Sequence, residues 1–123
     1  MASSVLSSKS DNFLYDGRAD TLYISRKKSG EKVAGSIEIA NILIDITSEG
    51  RIVGIEINEV SEFLKNLNID TNILNGIETA SFSVFPKRNG VLYFFIEIKN
   101  PELHRKIPLP VITPENFNRQ SSA

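Results

Sequence analysis

There is no cysteine and no tryptophan in the 123 residues, and histidine and methionine occur once each. Without cysteine, a disulfide framework, a thiolate nucleophile and thiolate-ligated zinc are all excluded. The lone imidazole, His104, does not make a zinc site, and no serine or cysteine nucleophile stands near it in a recognisable motif. Its neighbours Arg105 and Lys106 point to an exposed strand position instead. No apolar run approaches the length of a membrane span. Met1 to Ser10 lacks the apolar centre of a signal peptide, so a cytoplasmic, reducing setting is the expectation. An excess of one charge is missing too. Fourteen basic residues against fifteen acidic ones leave a net charge of −1, which draws the chain neither to nucleic acid nor to an anionic membrane. No phosphate-binding loop, dinucleotide fingerprint or calcium loop occurs, so no cofactor is expected.

What remains is an ordinary globular composition, 41% hydrophobic and 24% charged, on a chain long enough for one core. Serine-rich residues 1–11 and the polar stretch 113–123 read as tails, leaving a single domain over 12–112. Phe13–Tyr15 and Thr21–Ser25 flank an Asp/Gly cluster, the pattern of a hairpin. Arg26 to Lys32 is a polar, basic loop, Val33 to Ile39 resumes as strand, and a tight bend or bulge falls near Ala40-Asn41. Ile42, Ile44 and Ile46 alternate on one strand and Val53, Ile55 and Ile57 on the next. Both sets reach one face only if the loop has an even length. A four-residue Thr47-Ser48-Glu49-Gly50 loop, with Gly50 left-handed, is preferred over the two-residue Glu49-Gly50 version. Leu43, Asp45, Ile52, Gly54 and Glu56 then share the opposite face.

Val60, Phe63, Leu64 and Leu67 recur at helical spacing, so a short amphipathic helix is expected over Glu59–Leu67, capped by Asn58 and laid on the isoleucine face. In the last third, a three-residue Arg88-Asn89-Gly90 loop pairs Phe82 with Ile96 and Val84 with Phe94, keeping the apolar set on one face. A final strand near Arg105–Leu109 contains Pro108 and must be an edge or very short. The fold class is α+β: mainly an antiparallel β-meander of six or seven strands with one short helix packed on the sheet.

Several of these residues also form an ordered set of motifs: Tyr15-Asp16, Asp20, Leu22-Tyr23-Ile24, Ile44-Asp45, and Gly50-Arg51-Ile52-Val53-Gly54-Ile55-Glu56. Over about residues 13–64 the chain resembles the prokaryotic domain-of-unknown-function family numbered 2283. Gly17-Arg18 replaces that family's usual Pro-Glu, and the C-terminal hairpin lies beyond the pattern. The resemblance implies no activity. By association, it implies an antitoxin-like partner of a small RNase-like toxin.

Four groups of side chains are candidates for chemistry or binding. Asp45 and Glu56 project from one face of adjacent strands, where two carboxylates can divide acid and base roles or hold a hard cation; on a solvated face they are plain surface charge. Asp16 closes a turn and Asp20 caps the start of the following strand, in place of any calcium-loop role. Arg26, Lys27, Lys28, Lys32 and Lys87-Arg88 form basic loops that would support a weak nucleic-acid binder if aromatics stacked beside them, and otherwise keep the surface solvated. Phe85, Tyr93 and Phe95 lie opposite the core face of their hairpin, too much aromatic surface to leave in water. The leading reading is therefore a non-catalytic interaction module, with a protein partner or a second copy of the chain. A carboxylate-based, metal-assisted hydrolase built on Asp45 and Glu56 is the alternative.

Overall fold

The computed structural model describes residues 11–86 and 92–109. Among the described residues, eight strands form two antiparallel sheets, one of five strands and one of three, with one α-helix. The larger sheet contains β1 (Asn12–Asp16), β2 (Thr21–Ser25), β3 (Val33–Ile39), β4 (Ile42–Thr47) and β5 (Ile52–Asn58), in the order β1-β2-β5-β4-β3. The pairing of β2 with β5 breaks the simple meander and sends β3 to the far edge. Helix α1 (Val60–Asn66) and a 3₁₀ turn (Thr71–Leu74) lead to β6 (Thr79–Pro86), β7 (Leu92–Lys99) and β8 (His104–Pro108), which form the smaller sheet in chain order. Pro108 sits on an edge strand, as its missing donor requires.

Alternation accounts for the layering. Leu22, Ile24, Ile42, Ile44, Ile55 and Ile57 from the larger sheet meet Phe82, Phe94, Ile96 and Ile98 from the smaller one in a single core, joined by Val60 and Leu64 of α1. Asp11, assigned to the leading tail on sequence, ties the sheets at one side. Its Oδ2 accepts the Phe82 backbone N–H at 3.1 Å and the Arg26 guanidinium at 3.3 Å, and that guanidinium lies 3.9 Å over the Phe82 ring. Residues 1–10 and 113–123, and the Arg88-Asn89-Gly90 loop, lie outside the described residues. The β6–β7 register nevertheless has the expected partners, Phe82 with Ile96 and Val84 with Phe94.

Two local expectations need correction. The β4–β5 loop is neither two nor four residues long. Thr47 and Arg51 close a three-residue loop, Ser48-Glu49-Gly50, through Thr47 N–H to Arg51 O at 2.9 Å, with Gly50 at φ 85°. A β-bulge absorbs the odd residue: Asp45 faces Gly54 while Ile46 faces Ile52, leaving Val53 unpaired. The isoleucines keep one face, and Ile52 joins the core side, not the outer face.

The helix is capped from elsewhere. Asn58 ends β5 and accepts a hydrogen bond from the Thr21 hydroxyl, while Glu59 takes the N-cap position in the left-handed region with no side-chain bond. Asp20 supplies the cap across the fold, not the start of β2: its carboxylate accepts the Ser61 N–H at 3.2 Å and the Ser61 hydroxyl at 2.6 Å, and its carbonyl accepts Val60 N–H. At the other end, Asn68 is left-handed, Asn68 N–H reaches Lys65 O, and Ile69 N–H reaches Leu64 O, a Schellman closure. Leu67, expected in the apolar stripe, is the C-cap residue and is exposed.

Candidate functional site

The outer face of the larger sheet holds the first candidates. Asp45 stands directly opposite Gly54, and Glu56 lies between Leu43 and Tyr23 in the next cross-strand row. The expected shared face is therefore present. Asp45 is held from both sides, its Oδ1 accepting the Ser36 hydroxyl at 2.7 Å and its Oδ2 the Tyr23 hydroxyl at 3.2 Å. Gly54 makes that bond possible, because a Cβ there would lie 2.9 Å from Asp45 Oδ2 and 3.0 Å from the Tyr23 oxygen. Burial raises the Tyr23 hydroxyl above the usual phenol value, a hydrogen bond with Ser25 opposes this, and the charges of Asp45 and Glu56 raise it further. The Tyr15 hydroxyl is also raised, by burial first and then by Asp20 and Asp16. Beside Glu56, an open depression of about 380 Å³ is lined by Leu14, Asp16, Ala19, Thr21 and Tyr23. Among the described residues, no group of three or more Asp, Glu or His side chains is placed to hold a metal ion.

The aromatic candidates lie on the outer face of the smaller sheet. Phe85 pairs with Tyr93 across β6 and β7, and Phe95 pairs with Ser83. Phe85 is 47% exposed, and its ring meets Phe95 edge-on with centroids 5.8 Å apart. The Lys106 ammonium lies 5.1 Å from the centroid of the Phe95 ring. His104 is exposed, as expected, with Nε2 2.6 Å from Glu97 Oε2. The structure does not bring these residues together with Asp45 and Glu56, because the core lies between the two outer faces.

The basic loop is tied to the fold. Glu31 receives Arg51 Nη1 at 2.9 Å and Lys28 N–H at 2.7 Å, and its backbone carbonyl accepts Lys27 Nζ at 3.2 Å. Asp16 closes its turn as expected, accepting the N–H groups of Arg18 and Ala19.

Sequence reasoning missed Asn100. Its buried side chain donates to the carbonyls of Asn72 and Asn75, both at 3.0 Å, and accepts the N–H groups of Glu102 and Leu103. It bolts the β7–β8 turn to the 3₁₀ turn, beside an open hollow of about 570 Å³. An Asn-Pro pair signals a turn, but nothing local names a partner 25 residues away.

Residues 12–61 match the model of the family described as protein of unknown function (DUF2283). This family segment contains all five strands of the larger sheet, Asp45 and Glu56 included, and stops at Ser61, the residue that Asp20 caps. The aromatic face and Asn100 lie outside it. No curated protein matches the chain, and no solved structure does. Among the described residues, no helix is long and apolar enough to cross a membrane.

Proposed function

We propose that this chain is a non-catalytic protein-interaction module acting in the cytoplasm, with the outer face of the three-stranded sheet as its partner surface. The observation that carries the reading is Phe85, a large apolar ring left 47% exposed and stacked edge-on against Phe95. Fully burying a phenylalanine is worth roughly 1.5–3 kcal/mol, so a half-exposed ring in a preformed aromatic pair is a ready anchor. The family resemblance supplies the first partner to try, the product of an adjacent gene encoding a small RNase-like toxin; a second copy of the chain is the other. Co-expression with that product, followed by light scattering on the purified sample, tests both. A one-to-one complex or a homodimer that Phe85→Ala weakens at least tenfold supports the reading. A monomer that ignores the gene neighbour, or a complex indifferent to Phe85→Ala, removes it.

A carboxylate-based hydrolase, metal-assisted or not, is the second reading, and its support is the shared outer face of Asp45 and Glu56 on adjacent strands. The Ser36 and Tyr23 hydrogen bonds weigh against it, because they occupy both Asp45 oxygens. Tight, specific divalent-metal binding lost in Asp45→Asn would favour the enzyme; calorimetry showing no such binding would set it aside.

A further inference from the structure

The five strands of the larger sheet contain no lysine, arginine or histidine. Their charged residues are Asp16, Glu38, Asp45 and Glu56, and the register puts all four on the outer face. One cross-strand row, running from β3 through β4, β5 and β2 to β1, reads Glu38, Leu43, Glu56, Tyr23, Leu14. Acidic and apolar side chains thus alternate at the interstrand spacing of about 4.8 Å, apart from the Tyr23–Leu14 end. Leu14 is 65% exposed, the most exposed large apolar side chain among the described residues. None of the four carboxylates is in an ion pair among the described residues, and the side chains of Glu38 and Glu56 make no hydrogen bond there. A solvated face on a chain with balanced charge normally mixes both signs. This one is sorted.

We propose that the outer face of the five-stranded sheet docks a basic, amphipathic segment of a different protein. Lysines or arginines of that segment meet Glu38 and Glu56, while its apolar residues cover Leu14, Tyr23 and Leu43. The sign of the charge selects this occupant. A second copy using the same face would set carboxylate against carboxylate, and nucleic acid or an anionic membrane would be repelled. The proposal rests on the interaction-module reading but uses a surface separate from the aromatic one, so either can fail alone.

The test uses the full chain and a labelled synthetic decapeptide of alternating lysine and leucine, with a glutamate–leucine peptide as the control. Fluorescence anisotropy should show salt-sensitive binding of the first peptide only, and amide NMR shifts should centre on Leu14, Tyr23 and Leu43. The Glu38→Lys/Glu56→Lys double variant should weaken binding at least about tenfold, with Glu38→Gln/Glu56→Gln in between should the reversals disturb folding. Glu62→Lys/Glu102→Lys makes the same change in net charge elsewhere and should bind like the native chain, as should Phe85→Ala. Absence of binding, an unaffected Glu38/Glu56 variant, or equal weakening by the Glu62/Glu102 control would overturn the proposal.

Discussion

Replacing Gly54 with alanine sets a methyl carbon 2.9 Å from Asp45 Oδ2 and 3.0 Å from the Tyr23 oxygen, across a hydrogen bond of 3.2 Å. Neither atom can stay where it is. If Asp45 rotates away, it gives up the Tyr23 bond and weakens the Ser36 bond, each worth about 0.5–1.5 kcal/mol. Alanine offsets part of this, because glycine in a strand costs roughly 0.5–1 kcal/mol of chain entropy. The loss wins, and the net destabilisation is about 1 kcal/mol, or roughly 4–5 °C in Tm for a domain of this size. Urea unfolding followed by circular dichroism measures it, and a double-mutant cycle identifies its origin. In an Asp45→Ala background the nearest clashing atom is gone, so Gly54→Ala should become neutral or stabilising by about 0.5 kcal/mol. A stabilised Gly54→Ala in the native background, or a coupling below about 0.3 kcal/mol, would refute this account of the glycine.

Asp20→Ala should cost about 2 kcal/mol, since it removes a charge-assisted helix cap and leaves alanine in a left-handed backbone at φ 55°; Asp20→Asn should cost less than half of that in the same melts. Asn100→Asp should cost about 3 kcal/mol, because it turns an acceptor toward two carbonyls, and hydrogen exchange should accelerate in the 3₁₀ turn. Tyr23 has a pKa raised above its unfolded value of about 10, so its contribution is complete below that pH and is lost as pH climbs through the folded value. Tyr23→Phe should therefore flatten the alkaline fall in stability between pH 9 and 12, seen by denaturant melts, with Tyr15 acting in the same direction; an unchanged slope counts against it.

The parts of this fold legible in the sequence are those written as alternation. Register followed from Phe82, Val84, Phe94 and Ile96, because a one-residue slip would have sent one strand's apolar pair to the opposite face from the other's. Gly50 and the edge position of β8 followed from the backbone limits of glycine and proline. The bulge at Val53 left no such mark, since its only requirement is that two isoleucine sets share a face, and several loop lengths meet it. The true helix cap escaped because Asp20 lies 41 residues from Ser61, and Asn58 looks like an N-cap when only neighbours are considered. At the candidate site, the common face of Asp45 and Glu56 was legible from spacing. The grip of Ser36 and Tyr23 on Asp45 was not, because it depends on β2 and β3 flanking the β4–β5 pair, a long-range choice of strand order.

The Asp20–Ser61 cap also marks where the family segment stops being self-sufficient. Up to that residue the larger sheet has its strand partners, but the atoms that dry its inner face come afterward: Leu64, Ile73, Phe82, Phe94, Ile96 and Ile98. In this chain the cooperative unit is therefore larger than the family segment, and a polypeptide ending near Ser61 would have a finished ladder over a wet row of isoleucines. Such a piece would have to find its lid in trans, which makes the second sheet here a built-in substitute for a partner.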